Sequence, residues 1–312
     1  MPETIETLAW RRQREKHQAA GLNSPLGTQM RITVVIPALN EAGNIGRLVA
    51  ETFEHVPPEM LNEVIVVDDG SDDGTPDELQ SMMASGAFPG LRVIRHAARS
   101  GQSTALRTGI TAATSAVIAT MDGDGQNDPR DIPKLVAALA APGTNGPALV
   151  NGWRKDRKDT GSKRWASTAA NNIRDTILRD NCPDTGCGIK AYWRDAYLRL
   201  PFFTSMHRYL PALFQTYGHK VANVPVNDRP RQAGVSKYNN FNRAMVGLYD
   251  LIGVTWLRRR TRIPVSTELT ATPTATEQGK SGAATDAKPS SQPTSASASA
   301  AAVNAKTEHG TR

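Results

Sequence analysis

Long apolar runs are missing from this sequence of 312 residues. A membrane-crossing helix needs roughly 20 consecutive, mostly apolar residues, and no stretch here reaches that length, so no transmembrane helix is expected. Cysteine is scarce too. The two present, Cys182 and Cys187, have no histidine between them, which makes a poor zinc site and no disulfide framework. Reduced thiols, as in a cytosolic protein, are the expectation. Aromatic residues make up 5% of the chain and form no stacking stripe, so the feature with which single-stranded nucleic acid is gripped is absent. Neither common glycine-rich phosphate loop occurs. Residues 1–29 are polar around the basic cluster "WRRQREK" and lack the apolar core of a signal peptide. From Pro264 onward large apolar side chains almost vanish, and such a tail cannot bury enough surface to offset its ordering entropy. The expected division is a basic N-terminal tail at 1–29, a folded domain at 30–238, an amphipathic helix at 239–262 and a low-complexity tail at 263–312.

The net charge of +7 suits an anionic partner: nucleic acid, a membrane surface or a phosphorylated substrate. Between the tails, apolar runs alternate with helical spacing. "ITVVI" at Ile32–Ile36 reads as a buried strand stopped by Pro37, and Asn40 precedes a helical pattern at Ile45, Leu48, Val49, Thr52 and Phe53. A second strand ends abruptly at Asp68-Asp69, and a helix is predicted from Thr75 to Ala84. Short strands in "LRVIRH", "AVIAT" and "PALVNGWR" alternate with helices in "SGQSTALRTGITAATS", which opens with capping chemistry, and "PRDIPKLVAALAA". Strand and helix alternate at least four times. That pattern predicts an α/β fold with a mostly parallel, Rossmann-like sheet covered by helices on both faces.

In such sheets ligands bind beyond the carboxyl ends of the strands. Two acidic clusters fall there, Asp68-Asp69 and the run Asp122 to Asp128, so both are expected at the rim of one cleft, the first pair partly exposed. Asp122-Gly-Asp124-Gly-Gln126 presents oxygen donors at alternate positions, which suits a hard cation such as Mg²⁺ or Mn²⁺ that also takes phosphate and water. An EF-hand is excluded because its glycine would fall too early and no glutamate closes the loop. Asp128, before Pro129, reads as a helix cap. Two basic stretches, "NGWRKDRKDTGSKRW" and "DRPRQAGVSKYN", supply Arg154, Arg229, Arg231 and Lys237. A metal-bearing acidic rim with basic loops is the chemistry expected around a diphosphate leaving group.

Seven segments occur in order: "VVIPALNEAGNI", "EVIVVDDGSDDGT", "SGQSTALRTGI", "ATMDGDGQNDP", "DTGCGIKAYWRD", "MHRYLPAL" and "RPRQAGVSKYN". Together, over about residues 31 to 258, they resemble the family 2 glycosyltransferases of GT-A fold. The later motifs are similar to those of the polyprenyl-phosphate branch, which includes dolichol-phosphate mannose synthase and bacterial undecaprenyl-phosphate enzymes. The resemblance implies an inverting transfer from a GDP- or UDP-sugar to a polyprenyl phosphate, dependent on Mg²⁺ or Mn²⁺. It implies that Pro37, Asn40, Glu41 and Asp69 border the nucleotide, with Gln102 and Ser103 facing it. Asp122, Asp124 and Gln126 correspond to the metal and diphosphate site, and Arg154 to an arginine facing the phosphates. Arg231, Ser236 and Lys237 match a loop closing over the phosphates, while His207 and Arg208 match a segment near the lipid entrance. An acceptor that is already an anion needs no strong general base. The alternative, a hydroxyl acceptor on a glycan, would need a carboxylate base, for which Asp184 is available. A sugar nucleotidyltransferase lacks its glycine-rich N-terminal signature here.

A lipid acceptor implies contact with a bilayer. In "FNRAMVGLYDLIGVTWLRRRTR" the residues Phe241, Met245, Leu248, Ile252 and Trp256 share a helical face that ends in Arg258, Arg259, Arg260 and Arg262, interrupted by Arg243 and Asp250. This predicts a helix lying in the interface with its arginines on anionic headgroups, and a peripheral protein on the cytoplasmic face of the inner membrane. Docking on the domain, or a homo-oligomer contact, are the other uses of such a face. No nucleic-acid partner is expected, because acids at the strand ends repel phosphate unless a metal intervenes.

Overall fold

Ile32–Ala38 forms β1, completely buried, an interior strand of a seven-stranded sheet. The computed structural model describes residues 30–140, 146–154, 174–230 and 240–264. The other strands are β2 (Leu61–Asp68), β3 (Leu91–Arg95), β4 (Val117–Thr120), β5 (Leu149–Arg154), β6 (Lys190–Trp193) and β7 (Val221–Val226), in spatial order β3-β2-β1-β4-β6-β5-β7. Four of the six pairings are parallel; β6 runs antiparallel to both β4 and β5. Continuous aliphatic runs in β1, β2 and β4 are what a sheet covered on both faces requires. The helices are α1 (Ile45–His55), α2 (Thr75–Ala84), α3 (Gln102–Ala112), α4 (Ile132–Leu139), α5 (Arg194–Leu198), α6 (Leu210–Thr216) and α7 (Asn240–Arg260).

The register aligns the strand ends that carry the acids. Ala38 lies beside Asp68, and Val35 lies beside Thr120. The chain leaving β4 therefore passes across the end of β1, with Met121 N–H donating to Val35 O at 3.3 Å. There the backbone must approach closely: a Cβ on Gly123 would lie 2.8 Å from Pro37 O. On the sheet, α3 packs against β1 and β2, and α4 against β5 and β6.

Several expectations hold and some are corrected. The helix over Thr75–Ala84 forms with those bounds. Asp128 is a cap, accepting from the N–H of Arg130, though the turn it opens, Pro129–Asp131, is 3₁₀ before α4 begins. No side chain caps α3; Gly101 precedes it at φ 93°, a conformation that glycine adopts without strain. The pair Asp68-Asp69 is buried rather than partly exposed, because backbone donors of two loops surround it. Strands β6 and β7 were not expected: each is short, and β6 carries a lysine.

Helix α7 docks through Leu251 and Val254, which join the core, and leaves Leu248, Tyr249, Ile252 and Trp256 exposed. Tyr209 Oη donates to Gly247 O at 3.0 Å, and Arg258 Nε donates to Thr216 Oγ1 at 3.1 Å. The face expected from Leu248, Ile252 and Trp256 thus points outward; the side chains of Phe241 and Met245 lie outside the described residues. No helix among the described residues is long and apolar enough to cross a membrane.

Candidate active site

Asp122 follows β4 and is half-buried. Gln102 Nε2 donates to its Oδ1 at 2.8 Å, and Asn127 Oδ1 accepts from its backbone N–H at 2.9 Å. On the other side lies Gly188, where a Cβ would fall 2.3 Å from the carboxylate. Protein atoms crowd this group, and Asp124 adds a like charge. Burial, then Asp124, raise its pKa to about 6, against the opposing pull of Lys190 and Arg154. Asp124 Oδ1 accepts from Gln126 N–H at 3.2 Å, closing a tight turn around Gly125. Among the described residues no three His, Cys, Asp or Glu side chains form a metal cage. Two carboxylates and an amide nonetheless fit a hard divalent ion that keeps water and takes its remaining ligands from a diphosphate.

The nucleotide-side expectations fall on a tightly knit rim. Both oxygens of Asp69 are engaged: Oδ1 accepts from Ser100 N–H at 2.9 Å and lies 2.7 Å from His96 Nδ1, and Oδ2 accepts from Gly101 N–H at 2.7 Å. Asp69 thereby fixes the loop that leads into Gln102. Asn40, at φ 56°, interlocks with Asp72: its amide donates to Asp72 Oδ1 at 2.5 Å and its Oδ1 accepts from Asp72 N–H at 3.0 Å. Glu41 accepts from Asn44 Nδ2 at 3.0 Å, and Pro37, which does not stop β1 as expected but lies one residue before its end at Ala38, has its carbonyl directly under Gly123. Ser103 Oγ lies 2.8 Å from His207 Nδ1. Burial, with Arg208 and Lys190 nearby, pushes His207 down to about 3, so its imidazole is neutral.

Arg154 does not point freely into the cleft. Its Nε and Nη2 donate to Asp184 at 2.7 and 3.1 Å, and Asp228 Oδ1 lies 3.9 Å from Nη1. Lys190, nearly inaccessible, reaches the carbonyl oxygens of Cys187 and Thr185. It ties the 184–188 turn, with Gly188, beneath Asp122. Sequence reasoning passed over Lys190, because the four-residue strand that it opens, β6, carries too little periodic signal to mark the lysine as buried. Burial pushes the thiols of Cys182 and Cys187 up to about 12 and about 11, which keeps both protonated and unreactive. Arg231, Ser236 and Lys237 lie outside the described residues, as does most of the basic stretch after Arg154.

The family model described as Glycosyl transferase family 2 matches residues 33–200. The chain belongs to that family. It is a glycosyltransferase with a GT-A fold. A dodecaprenyl-phosphate galacturonate synthase of Rhizobium johnstonii is 32% identical to this glycosyltransferase over 247 residues, which are 77% of this chain and 70% of that protein. An undecaprenyl-phosphate 4-deoxy-4-formamido-L-arabinose transferase of an Enterobacter species is 31% identical over 228 residues, 71% of this chain and 66% of that one. Among solved structures, glucosyl-3-phosphoglycerate synthase of Mycobacterium tuberculosis with Mg²⁺ and UDP superposes at a TM-score of 0.57 with 20% identity, over 78% of this chain and 83% of the other. A second structure of that enzyme, with Mn²⁺, UDP and glucosyl-3-phosphoglycerate, gives 0.56 with 20% identity over the same shares of both chains.

The raised pKa of Asp122 sets a pH dependence for the glycosyltransferase. A carboxyl raised to about 6 is protonated below that pH, and the acid form is a poor ligand. Mn²⁺ affinity of the protein, followed by electron paramagnetic resonance, is expected to fall roughly tenfold per pH unit below about 6. An affinity that holds level down to pH 4.5 contradicts this placement of Asp122.

Proposed function

We propose that this glycosyltransferase moves a sugar from a GDP- or UDP-linked donor to the phosphate of a polyprenyl lipid, with inversion at the anomeric carbon. Two relatives named for polyprenyl-phosphate acceptors support the reading. The observation that carries it is the state of Asp184. The carboxylate that a hydroxyl acceptor would need as base is clamped by Arg154 in a two-pronged ion pair and nearly inaccessible. A carboxylate so enclosed and paired is not open to an acceptor hydroxyl, whereas a lipid phosphate arrives already charged and needs no base.

Asp122, Asp124 and Gln126 would hold Mg²⁺ or Mn²⁺, which, when bound, neutralises negative charge on the departing diphosphate. Gln102 orients Asp122 and leaves its second oxygen available. The engaged carboxylate of Asp69 fixes the loop at the start of α3, so that Gln102 and Ser103 face the donor, and Pro37, Asn40 and Glu41 border the nucleotide. Neutral His207 lends polarity without charge beside Ser103, and Arg208 stands next to it. Arg231, Ser236 and Lys237 supply cationic and hydroxyl contacts that bring two phosphate groups of like charge together. Catalysis is then positioning plus electrostatics. Transfer is tested with a panel of GDP- and UDP-sugars and undecaprenyl or dolichyl phosphate, the lipid product identified by mass. One donor is expected to give a sugar-phosphate lipid, and Asp124→Ala to lower the rate at least about a hundredfold. Sugar found only on a water-soluble hydroxyl acceptor, or full activity in Asp124→Ala, counts against the proposal.

The acceptor also places the protein at a membrane. The outward face of α7, with Ile252 63% and Trp256 61% exposed, would lie among headgroups on the cytoplasmic side of the inner membrane. Arg258 is engaged in docking the helix, but the exposed Arg259, Arg260 and Arg262 add roughly 1 kcal/mol each on an anionic surface. The full chain is expected to float with vesicles containing phosphatidylglycerol, and the double substitution Ile252→Asp, Trp256→Asp to remain at the bottom of the gradient. Equal flotation of both, or a change only in oligomeric state, assigns the face to another contact.

A further inference from the structure

Arg229 stood in the sequence as one more cation available to phosphate. The structure gives it another position. Its backbone N–H donates to Gln126 O at 3.1 Å, and its Nη2 donates to Asn127 O at 2.6 Å. Its Nη1 donates to Glu51 Oε2 on α1 at 2.7 Å. The other oxygen of Glu51 accepts from Arg47 at 2.7 Å, one helical turn earlier. The flanking residues hold the same junction: Asn227 N–H donates to Asp131 Oδ2 at 2.7 Å, and Asp228 bridges to Asn127. Arg229 is therefore not directed at a ligand. It sits behind the Asp122–Gln126 loop and binds the two carbonyls that follow the loop's last donor.

We propose that Arg229 is a positioning residue for the metal loop, its guanidinium holding Asp122, Asp124 and Gln126 in register through the Asn127 carbonyl, beside its backbone bond to Gln126 O, with Glu51 as its anchor. The inference rests on the reading of that loop as a divalent-cation site. The loop has two ends to fix. Its start is tied by Asn127 Oδ1 accepting from Asp122 N–H, so the same residue whose carbonyl Arg229 holds also closes the loop. Without the guanidinium, Asn127 O loses its partner on this side, and Gln126 O keeps only the backbone N–H of residue 229, which nothing then anchors to Glu51. The peptides between Gly125 and Asp128 could then rotate, and the spacing of the ligand oxygens would vary. Groups of this kind, one step behind the ligands, commonly change metal affinity by about 10- to 100-fold when removed. A planar fork that spans a carboxylate and a carbonyl is work for arginine, and lysine reproduces it only in part. A recess lined by Asn44, Arg47, Leu48, Glu51, Asp124 and Gly125 places this brace directly beside Asp124. It is far from legible in sequence: Glu51 and Arg229 are 178 residues apart.

The test uses the purified full chain and Mn²⁺, alone and with UDP or GDP, with bound metal read by electron paramagnetic resonance. Arg229→Met is expected to weaken Mn²⁺ binding about tenfold or more, Arg229→Lys to recover part of it, and Glu51→Gln to weaken it about threefold, an intermediate loss for an anchor that keeps its oxygen. Nucleotide affinity in chelator should stay within twofold in all three. Arg229→Met binding Mn²⁺ as the natural protein does overturns the proposal. Should Arg229→Met fail to fold, wild-type Mn²⁺ affinity in both Arg229→Lys and Glu51→Gln overturns it instead. If the unaltered protein binds no Mn²⁺ even with nucleotide, the metal reading itself falls, an outcome distinct from a loop that binds metal without needing its brace.

Discussion

The carboxylate of Asp122 is held where its charge is disfavoured. Gly188 leaves no room beside it even for a methyl group, Asp124 stands two residues away, and burial followed by that like charge raises its pKa to about 6. The surrounding structure is organised by this constraint. The parallel register of β1 and β4 places Asp122 at the carboxyl edge of the sheet, and Gln102 reaches over from α3 to one of its oxygens. A group in that state gains from a cation or a proton, and a site that exchanges one for the other is well suited to receiving a metal-bound diphosphate.

The remaining charges near the site are mostly paired in advance. Asp184 faces Arg154, Asp69 faces His96 and two backbone donors, and Arg229 faces Glu51. Such pairs cost more to break than they contribute to stability, so their use here is geometric: each fixes a loop end at the carboxyl edge of the strands. Lys190 does the same from below by holding the 184–188 turn. Fixed dipoles and ligands need no reorganisation during the reaction, which is where electrostatic catalysis draws most of its effect.

Much of this was legible in the residues. Continuous aliphatic runs marked β1, β2 and β4, and the acids following two of them do lie at the carboxyl edge of the sheet. Asp128 before Pro129 was readable as a cap because both residues have one dominant use at that junction. Strands β6 and β7 were not readable: four or six residues with a lysine or a proline inside carry little periodic signal, and an antiparallel insertion leaves no trace in local pattern. The roles of Asp69, Arg154 and Arg229 were hidden for another reason. Each is readable as a charged residue, but whether a charge meets ligand or protein is decided by partners 27 to 178 residues away. Composition and spacing do not encode those distances.

The central claim is that the Asp122–Gln126 loop is a socket for a divalent cation carrying a nucleoside diphosphate. The most direct measurement is anomalous diffraction from crystals of the protein grown with Mn²⁺ and UDP or GDP. The account predicts a single strong Mn²⁺ peak at ligand distance from a carboxylate of Asp122 or Asp124, with diphosphate oxygens completing its coordination. A nucleotide bound with no metal peak at this loop, or a peak elsewhere in the molecule, would contradict it.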